Sequence, residues 1–402
     1  MIEKDYSIIL NYIQHFMFKN KTLSSKVKSL IGFLIRLFVP RKLYLRGALK
    51  GRNIFIDLDG RKDHFHRVEK YVDELNLSHF QSKKPTQTSD FKVYSGAYFF
   101  PMLNVIKNFR EIYCFCKVNN LSCLNALQAF VIYYSYYSVS QVVSCSVRPK
   151  NCLSLNFETS IGFSSGLKSE NVNLNVISIQ HGFMYKVNNE NNMLGLDLHS
   201  DYYVFWSKEY KRLAESRLDP KCKTIIDGDF SNDNHKSYDF HNSERILFLS
   251  SFSAYSPSEV IEEEVITINS LVDIFKENLT VRLHPSINKK CFNKDWGILG
   301  GTIEFCHEIT LAESVQCSQT VLTICSTAIT EAFLMDIPVI ILPSRIENIL
   351  NLNFNTPSLA SLGECDCNLI SEKYGQFVDS MEVFYGKKTG ALSKFISEEI
   401  DI

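Results

Sequence analysis

The segment TVLTICSTAITEAFLMDIPVIIL, residues 320–342, decides the fold class of this chain. Two short apolar runs, 320–324 and 338–342, are rich in β-branched residues, which is typical of buried strands. The stretch between them, 327–335, reads as a helix and follows hydroxyl residues that can cap it. A strand followed by a helix and a second strand is the repeating unit of a parallel sheet. The segment therefore predicts an α/β protein.

The same alternation of strands and helices continues on both sides of this segment. A polar, apolar-poor stretch, residues 229–243, interrupts it and is the best candidate for a linker. The sequence thus predicts two Rossmann-like domains, 53–235 and 236–402, that face each other across a cleft, preceded by a separate segment, 1–52. Further strands are predicted at 53–57, 153–157, 174–179, 202–206, 223–226, 245–250, 279–283 and 302–305.

Length and composition exclude several classes of protein. The chain has 402 residues, and 45% of them are hydrophobic and 22% charged, which suits a globular protein that is too long for one ordinary core. A net charge of −1 argues against a general nucleic-acid binder. The twelve cysteines include no C-x-x-C pair, so we expect reduced thiols and no zinc site. No signal peptide and no apolar run of roughly 18 residues is found.

The first 52 residues are basic and amphipathic. No acidic residue occurs between Tyr6 and Ile56, whereas ten basic residues do. Apolar residues recur at helical spacing from Leu23 to Phe38, so a helix here can lie on an anionic membrane. An ordinary helix packed on the core is an equal alternative. We expect residues 19–52 to make the membrane contact.

A first candidate motif is Gln180-His181-Gly182, directly after a predicted strand. The residue that leaves the carboxyl end of a parallel strand points into the cleft, and a histidine there can act as a general base near neutral pH. We therefore predict His181 as the catalytic base, with Gln180, Gly182 and Lys186 on the acceptor side. Taken alone, the motif fits a structural histidine as well.

A second motif is Arg282-Leu283-His284-Pro285, again at the end of an apolar strand. Proline ends the strand and fixes the chain direction, so we expect the imidazole of His284 to face the cleft. Arg282 lies two residues earlier on the same strand face, where it can also meet a phosphate. Arg282, His284 and Pro285 are therefore candidate donor-binding residues.

The third motif is the hydroxyl pair Ser326-Thr327, where a strand runs into a helix. Hydroxyl groups and the first helical N–H groups converge on one point there, which favours an anion. Glu331, about one turn into the helix, can accept a ribose hydroxyl. Ser250 and Ser251, after the strand ILFLS, are further candidates for the donor side.

In order and spacing, the three motifs resemble those of two families of surface-polymer enzymes. Bacterial sialyltransferases and polysialyltransferases of GT-B fold carry D/E-D-G, HP and SS/ST motifs, and CDP-glycerol glycerophosphotransferases carry similar HP and hydroxyl motifs with a His-Gly motif. The chain departs from the first family because His181 replaces the acidic residue. The resemblance implies a GT-B fold, His181 as base and a CMP site formed by His284, Ser326, Thr327 and, less directly, Glu331.

This resemblance implies a glycosyltransferase of capsule, O-antigen or lipopolysaccharide synthesis. It would move a sialic acid-type nonulosonate or Kdo from a CMP-activated donor to a glycan or lipid-linked acceptor, with inversion and without a metal. We expect the enzyme in the cytoplasm, on the inner face of the bacterial membrane, with no nucleic-acid partner.

Other functions stay open at this stage. A CDP-polyol phosphotransferase would use the same CMP site, and a UDP-sugar-dependent GT-B enzyme would share the fold. The chain can also be a non-catalytic binding partner. The sequence Asp57-Leu58-Asp59-Gly60 superficially looks like a metal-binding D-x-D motif, but a strand-end turn explains it better. Asp227-Gly228-Asp229, near the linker, also reads as a turn.

Overall fold

The fold consists of two α/β units, each built on its own sheet. The computed structural model describes residues 35, 37–46, 48–58, 62–84, 91–118, 123–155, 161–180, 200–214, 218–228, 244–251, 258–285, 287, 297–298, 300–306, 308–324, 326, 328–335, 337–342 and 389–398. Everything said below about structure concerns these residues.

The first sheet has eight strands. In spatial order they are β4 (Phe91–Ser95), β1 (Lys42–Arg46), β3 (Ser78–Gln81), β2 (Asn53–Asp57), β5 (Asn151–Ser154), β6 (Asn175–Ile179), β7 (Tyr202–Phe205) and β8 (Lys223–Ile226). Strand β1 is antiparallel to both of its neighbours, and all other pairs are parallel. Consecutive residues of β2, Ile54, Phe55 and Ile56, are all buried, as expected for a parallel strand with both faces covered.

The second sheet has five strands, all parallel. In spatial order they are β11 (Thr302–Glu304), β10 (Leu279–Arg282), β9 (Ile246–Leu249), β12 (Thr320–Thr323) and β13 (Val339–Ile341). The strands predicted from the sequence lie within three residues of these bounds. The predicted α/β class with two Rossmann-like units is confirmed.

Helices cover the faces of both sheets. They are α1 (Lys62–Glu74), α2 (Phe100–Val118), α3 (Cys123–Val147), α4 (Ile161–Glu170), α5 (Lys208–Ala214), α6 (Ser258–Phe275), α7 (Leu311–Gln316), α8 (Ile329–Leu334) and α9 (Ala391–Glu398). None of these described helices combines the length and the hydropathy that crossing a bilayer requires.

The boundaries of the first unit differ from those predicted. Strand β1 lies inside the first sheet with Leu43 and Leu45 buried, so this unit begins at least ten residues before Asn53. The segment 19–52 is therefore not a single membrane-bound element, because its 42–46 part pairs with β3 and β4. Of the predicted helix from Leu23 to Phe38, nearly all lies outside the described residues.

The end of the chain also belongs to the first unit. Leu392 and Ile396 of α9 pack in the same apolar cluster as Phe55 and Val204 of the first sheet. The buried carboxylate of Asp227 accepts the backbone N–H groups of Thr389, Gly390 and Leu392 at 2.8–3.0 Å and so caps α9. The predicted domain 236–402 therefore ends before α9, and Asp227 serves as a remote helix cap.

Two glycines let helices α3 and α4 approach each other closely. A Cβ atom on Gly162 would lie 2.1 Å from the backbone oxygen of Tyr133, and one on Gly166 would lie 2.0 Å from Oγ of Ser140. Ser144 adds a hydrogen bond from its Oγ to the carbonyl oxygen of Leu167, at 3.2 Å. The tyrosines of α3 thus belong to a packed helical layer.

We expect Gly162→Ala to lower the free energy of unfolding by about 1–3 kcal/mol, because α4 must move away from α3. Helix propensity alone would have the opposite sign and favour alanine by about 1 kcal/mol. Urea unfolding of Gly162→Ala beside Ser165→Ala, a half-buried position on the same helix, measures the effect. A stabilised Gly162→Ala variant would rule out the close approach.

His79 is a buried histidine in β3 and is 3% exposed. Burial, followed by the nearby charge of Arg46, lowers its pKa from 6.5 to about 4, although Asp73 acts in the opposite direction. Its ring packs edge-on against Phe55 with centroids 6.2 Å apart. The native protein thus holds His79 in the neutral form.

This burial predicts a loss of stability in mild acid. Below pH 6.5 the unfolded chain binds a proton at His79, whereas the folded chain binds it only near pH 4, so the free energy of unfolding falls in that window. Between pH 7 and pH 4.5 we expect wild type to lose about 2–3 kcal/mol more than His79→Phe. Urea unfolding of both proteins at the two pH values tests this, and equal losses would contradict it.

Candidate functional site

The candidate site lies at the carboxyl edge of the second sheet, the edge at which its parallel strands end. From β9 the chain proceeds to β10 and β11 on one side and then returns to β12 and β13 on the other. The order reverses between β9 and β12, and ligands of open α/β sheets bind at such a switch point. Ser251 follows β9 and Ser326 follows β12, so both lie beside this point.

A chain of hydrogen bonds joins the ends of β9 and β12. The hydroxyl groups of Ser251 and Thr323 share a hydrogen bond of 3.2 Å, and Oγ1 of Thr323 also donates to the carbonyl oxygen of Leu249 at 2.9 Å. The N–H of Ser326 donates to Oγ1 of Thr323 at 3.1 Å. These contacts hold the two predicted hydroxyl residues, Ser251 and Ser326, on one rigid framework.

His284 and Pro285 lie at the same edge, after β10. Arg282, at the end of β10, pairs in register with Leu249 of β9, which in turn pairs with Thr323 of β12. His284 is half-buried and Pro285 is exposed, two and three residues beyond that level. The structure therefore brings His284, Ser251 and Ser326 to the ends of three adjacent strands, as the sequence predicts.

Arg282, in contrast, binds groups of the protein itself. It is 7% exposed, and its Nη2 donates to the carbonyl oxygen of Ile309 at 2.9 Å. Its Nη1 lies 3.6 Å from Oε2 of Glu304, a carboxylate that also binds Arg245 and Ser314. Burial lowers the pKa of the guanidinium, although Glu304 opposes that change. Arg282 thus has a structural role at the edge of the sheet, and its role in donor binding stays a prediction.

Ser250 likewise has its partner inside the protein. It is buried, and its Oγ donates to Oε2 of Glu264 in α6 at 2.8 Å. The neighbouring N–H of Ser251 donates to Oε1 of the same carboxylate at 2.7 Å. Ser250 thus supports the turn after β9, and its hydroxyl hydrogen is already used within the fold, while its contact with the donor stays a prediction.

Glu264 supports the turn after β9 and is not among the residues predicted from the sequence. Its side chain is 0% exposed, at the centre of the carboxyl edge. A signal for it does exist, because Glu264 interrupts the buried stripe Val260, Ile268 and Leu271 of α6 at helical spacing. A single acid in such a stripe requires buried donors, which Ser250 and Ser251 supply.

The predicted cap of helix α8 is shifted. Its N-cap residue is Ala328, which makes no side-chain capping bond, and Oγ of Ser326 instead accepts the N–H of Ala328 at 3.3 Å. Ser326 therefore caps the turn that enters α8. Glu331 is half-buried in the first turn of the helix, and Thr327 lies outside the described residues.

Gln180, predicted on the acceptor side, lies directly after β6. It is 1% exposed at the end of β6, and its Oε1 accepts the N–H of Trp206 at 3.0 Å, after β7. Gln180 thus joins the ends of two strands, and its role on the acceptor side stays a prediction. The other members of this motif, His181, Gly182 and Lys186, lie outside the described residues.

The two D-x-D sequences, 57–59 and 227–229, form no metal site among the described residues. Asp57 is the last residue of β2, whereas Asp59 and Asp229 lie outside the described residues. Within the described part of the chain, no group of three or more His, Cys, Asp and Glu side chains is arranged to hold a metal ion.

Comparison with known proteins shows the fold. No protein-family model and no curated protein matches the chain. A structure of S. aureus MnaA with UDP aligns with a TM-score of 0.51 at 13% identity, covering 87% of this chain and 96% of that one. At this identity the likeness shows a GT-B fold and nothing finer.

Two further solved structures align less closely. The wall teichoic acid polymerase TagF, as an H444N variant, has a TM-score of 0.48 and 11% identity, covering 88% of this chain and 91% of that chain. UDP-GlcNAc 2-epimerase from Neisseria meningitidis, bound to UDP-GlcNAc, has a TM-score of 0.48 and 15% identity, covering 84% and 89%.

The buried carboxylate yields a prediction for stability. In Glu264→Gln one of the two inward hydrogen bonds faces an amide NH₂ instead of an acceptor, so we expect the free energy of unfolding to fall by about 1–3 kcal/mol. Glu262→Gln, an exposed position on the same helix, should change it by less than about 0.5 kcal/mol. Chemical unfolding of both variants measures this, and equal effects would show that the carboxylate does not stabilise the turn.

Proposed function

We propose that this chain is a GT-B glycosyltransferase of cell-surface polymer synthesis, which takes a sugar from a nucleotide-activated donor. The observation that carries the proposal is that His284, Ser251 and Ser326 follow three adjacent parallel strands, with the two serines beside the switch point. An imidazole and hydroxyl groups at such a point are suited to bind a phosphate.

For the donor we propose a CMP-activated sugar, of the nonulosonate or Kdo type. This finer assignment rests on the order of the motifs, in which QHG, RLHP and the hydroxyl pair resemble those of CMP-releasing transferases. His284, Ser326 and Thr327 would hold the phosphate of CMP, and Glu331 would accept a ribose hydroxyl. Ser251 would complete the phosphate site from the end of β9.

The proposed reaction is a direct displacement at the anomeric carbon. His181 would accept the proton of the acceptor hydroxyl while its oxygen forms the new glycosidic bond. The bond from the anomeric carbon to the phosphate oxygen breaks at the same time, and CMP leaves with the electron pair. His284 and the hydroxyl groups would stabilise the charge on the leaving phosphate, so the reaction needs no metal and inverts the anomeric centre.

Two other donors and a non-catalytic role are the alternatives to transfer from a CMP-activated sugar. The S. aureus structure that shares the fold holds UDP, which makes a UDP-sugar the direct competitor. A CDP-polyol would use the same cytidine site, with attack at phosphorus. A non-catalytic chain would bind a nucleotide without turnover.

The acceptor and the location follow from the same proposal. A growing surface glycan on a lipid carrier is presented at the cytoplasmic face of the membrane. The basic residues of segment 19–41, which precede the first sheet, would bring the enzyme to this surface.

One binding and turnover experiment tests the proposal. CMP, CDP, UMP, UDP and GDP are ranked by the thermal shift of wild type, with and without EDTA, since a ligand that binds the native state raises its apparent stability. We expect CMP to give the largest shift, with no effect of EDTA and with loss of the shift in His284→Ala. A larger shift with UDP or GDP would exclude the cytidine donor.

The same design separates an enzyme from a binding protein. Release of CMP from CMP-sugars, with CDP-glycerol in parallel, is measured for wild type and His181→Ala. We expect His181→Ala to keep the CMP shift but lose about 10²- to 10⁴-fold in rate. Release from CDP-glycerol alone would favour the polyol transferase, and equal rates in both proteins would remove His181 from the reaction.

A further inference from the structure

Helix α2 is apolar on two opposite sides. Its inner side packs on the first unit through Pro101, Val105, Ile112 and Cys116, which are buried. On its outer side Leu103, Ile106 and Tyr113 are 58%, 64% and 52% exposed. Inward packing explains the first set, whereas the second set joins none of the apolar clusters that the described residues form.

The exposed apolar side chains of the protein are concentrated around this helix. Fourteen large hydrophobic side chains are exposed in the described residues, and ten of them lie within 35–39 and 98–118. These ten are Ile35, Phe38, Val39, Tyr98, Phe99, Leu103, Ile106, Phe109, Tyr113 and Val118. The rings of Phe38 and Phe99 pack edge to face, 6.1 Å apart, and join the two segments into one surface. Exposed apolar clusters of this kind mark interaction sites. We call this surface the α2 face.

Positive charge is interleaved with the α2 face. Lys107, Arg110 and Lys117 are exposed on the helix, and Glu111 is its single acidic residue. Leu103, Ile106, Arg110, Tyr113 and Lys117 follow one another at intervals of three and four residues, so they share one side of the helix. This side therefore presents apolar and aromatic groups with cations among them.

We propose that the α2 face docks on a phospholipid bilayer that contains anionic headgroups. A helix of 19 residues, about 28 Å long, can lie in the plane of the interface with its apolar side chains between the headgroups. Aromatic side chains are favoured at this depth, and the cations meet lipid phosphates. The inference concerns a surface outside the candidate active site and does not depend on the donor chemistry proposed above.

Charge complementarity favours an anionic membrane over two other occupants of the α2 face, a second copy of the chain and the chain's own basic N-terminal segment. In a symmetric contact between two copies, the same patch faces itself, so the cations of one copy would meet those of the other. Residues 19–34 of the same chain carry four basic residues, Lys19, Lys21, Lys26 and Lys28, and no acidic one. A second copy or this basic segment would each place positive charge against the cations of the α2 face, whereas an anionic membrane supplies negative charge.

Vesicle binding of the full chain tests the proposal with a matched pair of variants. Ile106→Glu places a charge on the α2 face, and Ile266→Glu makes the same change at an isoleucine of helix α6 that is 67% exposed. With vesicles of phosphatidylcholine and phosphatidylglycerol at 7:3, we expect co-sedimentation of Ile106→Glu to weaken at least about tenfold. Ile266→Glu should bind as wild type does. Equal binding of the two variants would overturn the proposal.

A second variant tests the electrostatic part. Exchanging Lys107, Arg110 and Lys117 together for glutamine should remove most of the preference for anionic over pure phosphatidylcholine vesicles, with about a fivefold loss for each cation. An unchanged preference would overturn the role of these cations. Circular dichroism and the nucleotide-induced thermal shift should match wild type in all variants. Loss of vesicle binding with this shift intact then separates the membrane proposal from the proposed transferase activity.

The mass in solution, measured by light scattering, shows whether a second copy of the chain covers the α2 face instead. We expect wild type and Ile106→Glu to have the same mass in solution without lipid. A dimer of wild type that Ile106→Glu dissociates would show that a second copy covers the α2 face, and the membrane proposal would fall.

Discussion

The carboxylate of Glu264 is fully buried behind the carboxyl edge of the second sheet, and the geometry of that edge depends on it. A buried carboxyl group is costly unless hydrogen-bond partners surround it, and here the hydroxyl of Ser250 and the N–H of Ser251 donate to it. This pairing fixes the turn after β9 and thereby places the hydroxyl of Ser251 against that of Thr323. The end of β12, with Ser326, is held by the same contact.

The sequence predicts the strands of this edge well and the orientation of their last side chains poorly. Apolar β-branched runs with polar ends mark where a strand stops, so the positions of His284, Ser251 and Ser326 follow from the parallel sheet. Whether a terminal side chain turns outward depends on distant partners. Arg282 turns inward because Glu304 and the carbonyl oxygen of Ile309 are there, and Ser250 turns inward because of Glu264. Such pairings have no local signature in one sequence.

In the first unit, whole elements are likewise placed by partners that are distant in the chain. Strand β1 is only five residues long and antiparallel, and it is placed by pairing with β3 and β4, which follow it by some 30 to 50 residues. Helix α9 is placed by Asp227, more than 160 residues away in the chain. Periodicity predicts elements but not such long-range pairings, which is why the sequence places both limits of the unit incorrectly.

The two units share one apolar cluster, which holds the end of β6 in place relative to the ends of β9 and β12. Phe205, Trp206 and Tyr210 of the first unit lie in the same buried cluster as Leu249 and Val321, which belong to β9 and β12. Gln180 is fixed to Trp206 by its hydrogen bond, and His181 follows Gln180 in the chain. Burying one such aromatic side chain contributes about 1.5–3 kcal/mol, so opening the molecule along this contact would be costly. Side-chain packing, and not only the linker, therefore determines how β6 stands relative to the strand ends that carry Ser251 and Ser326.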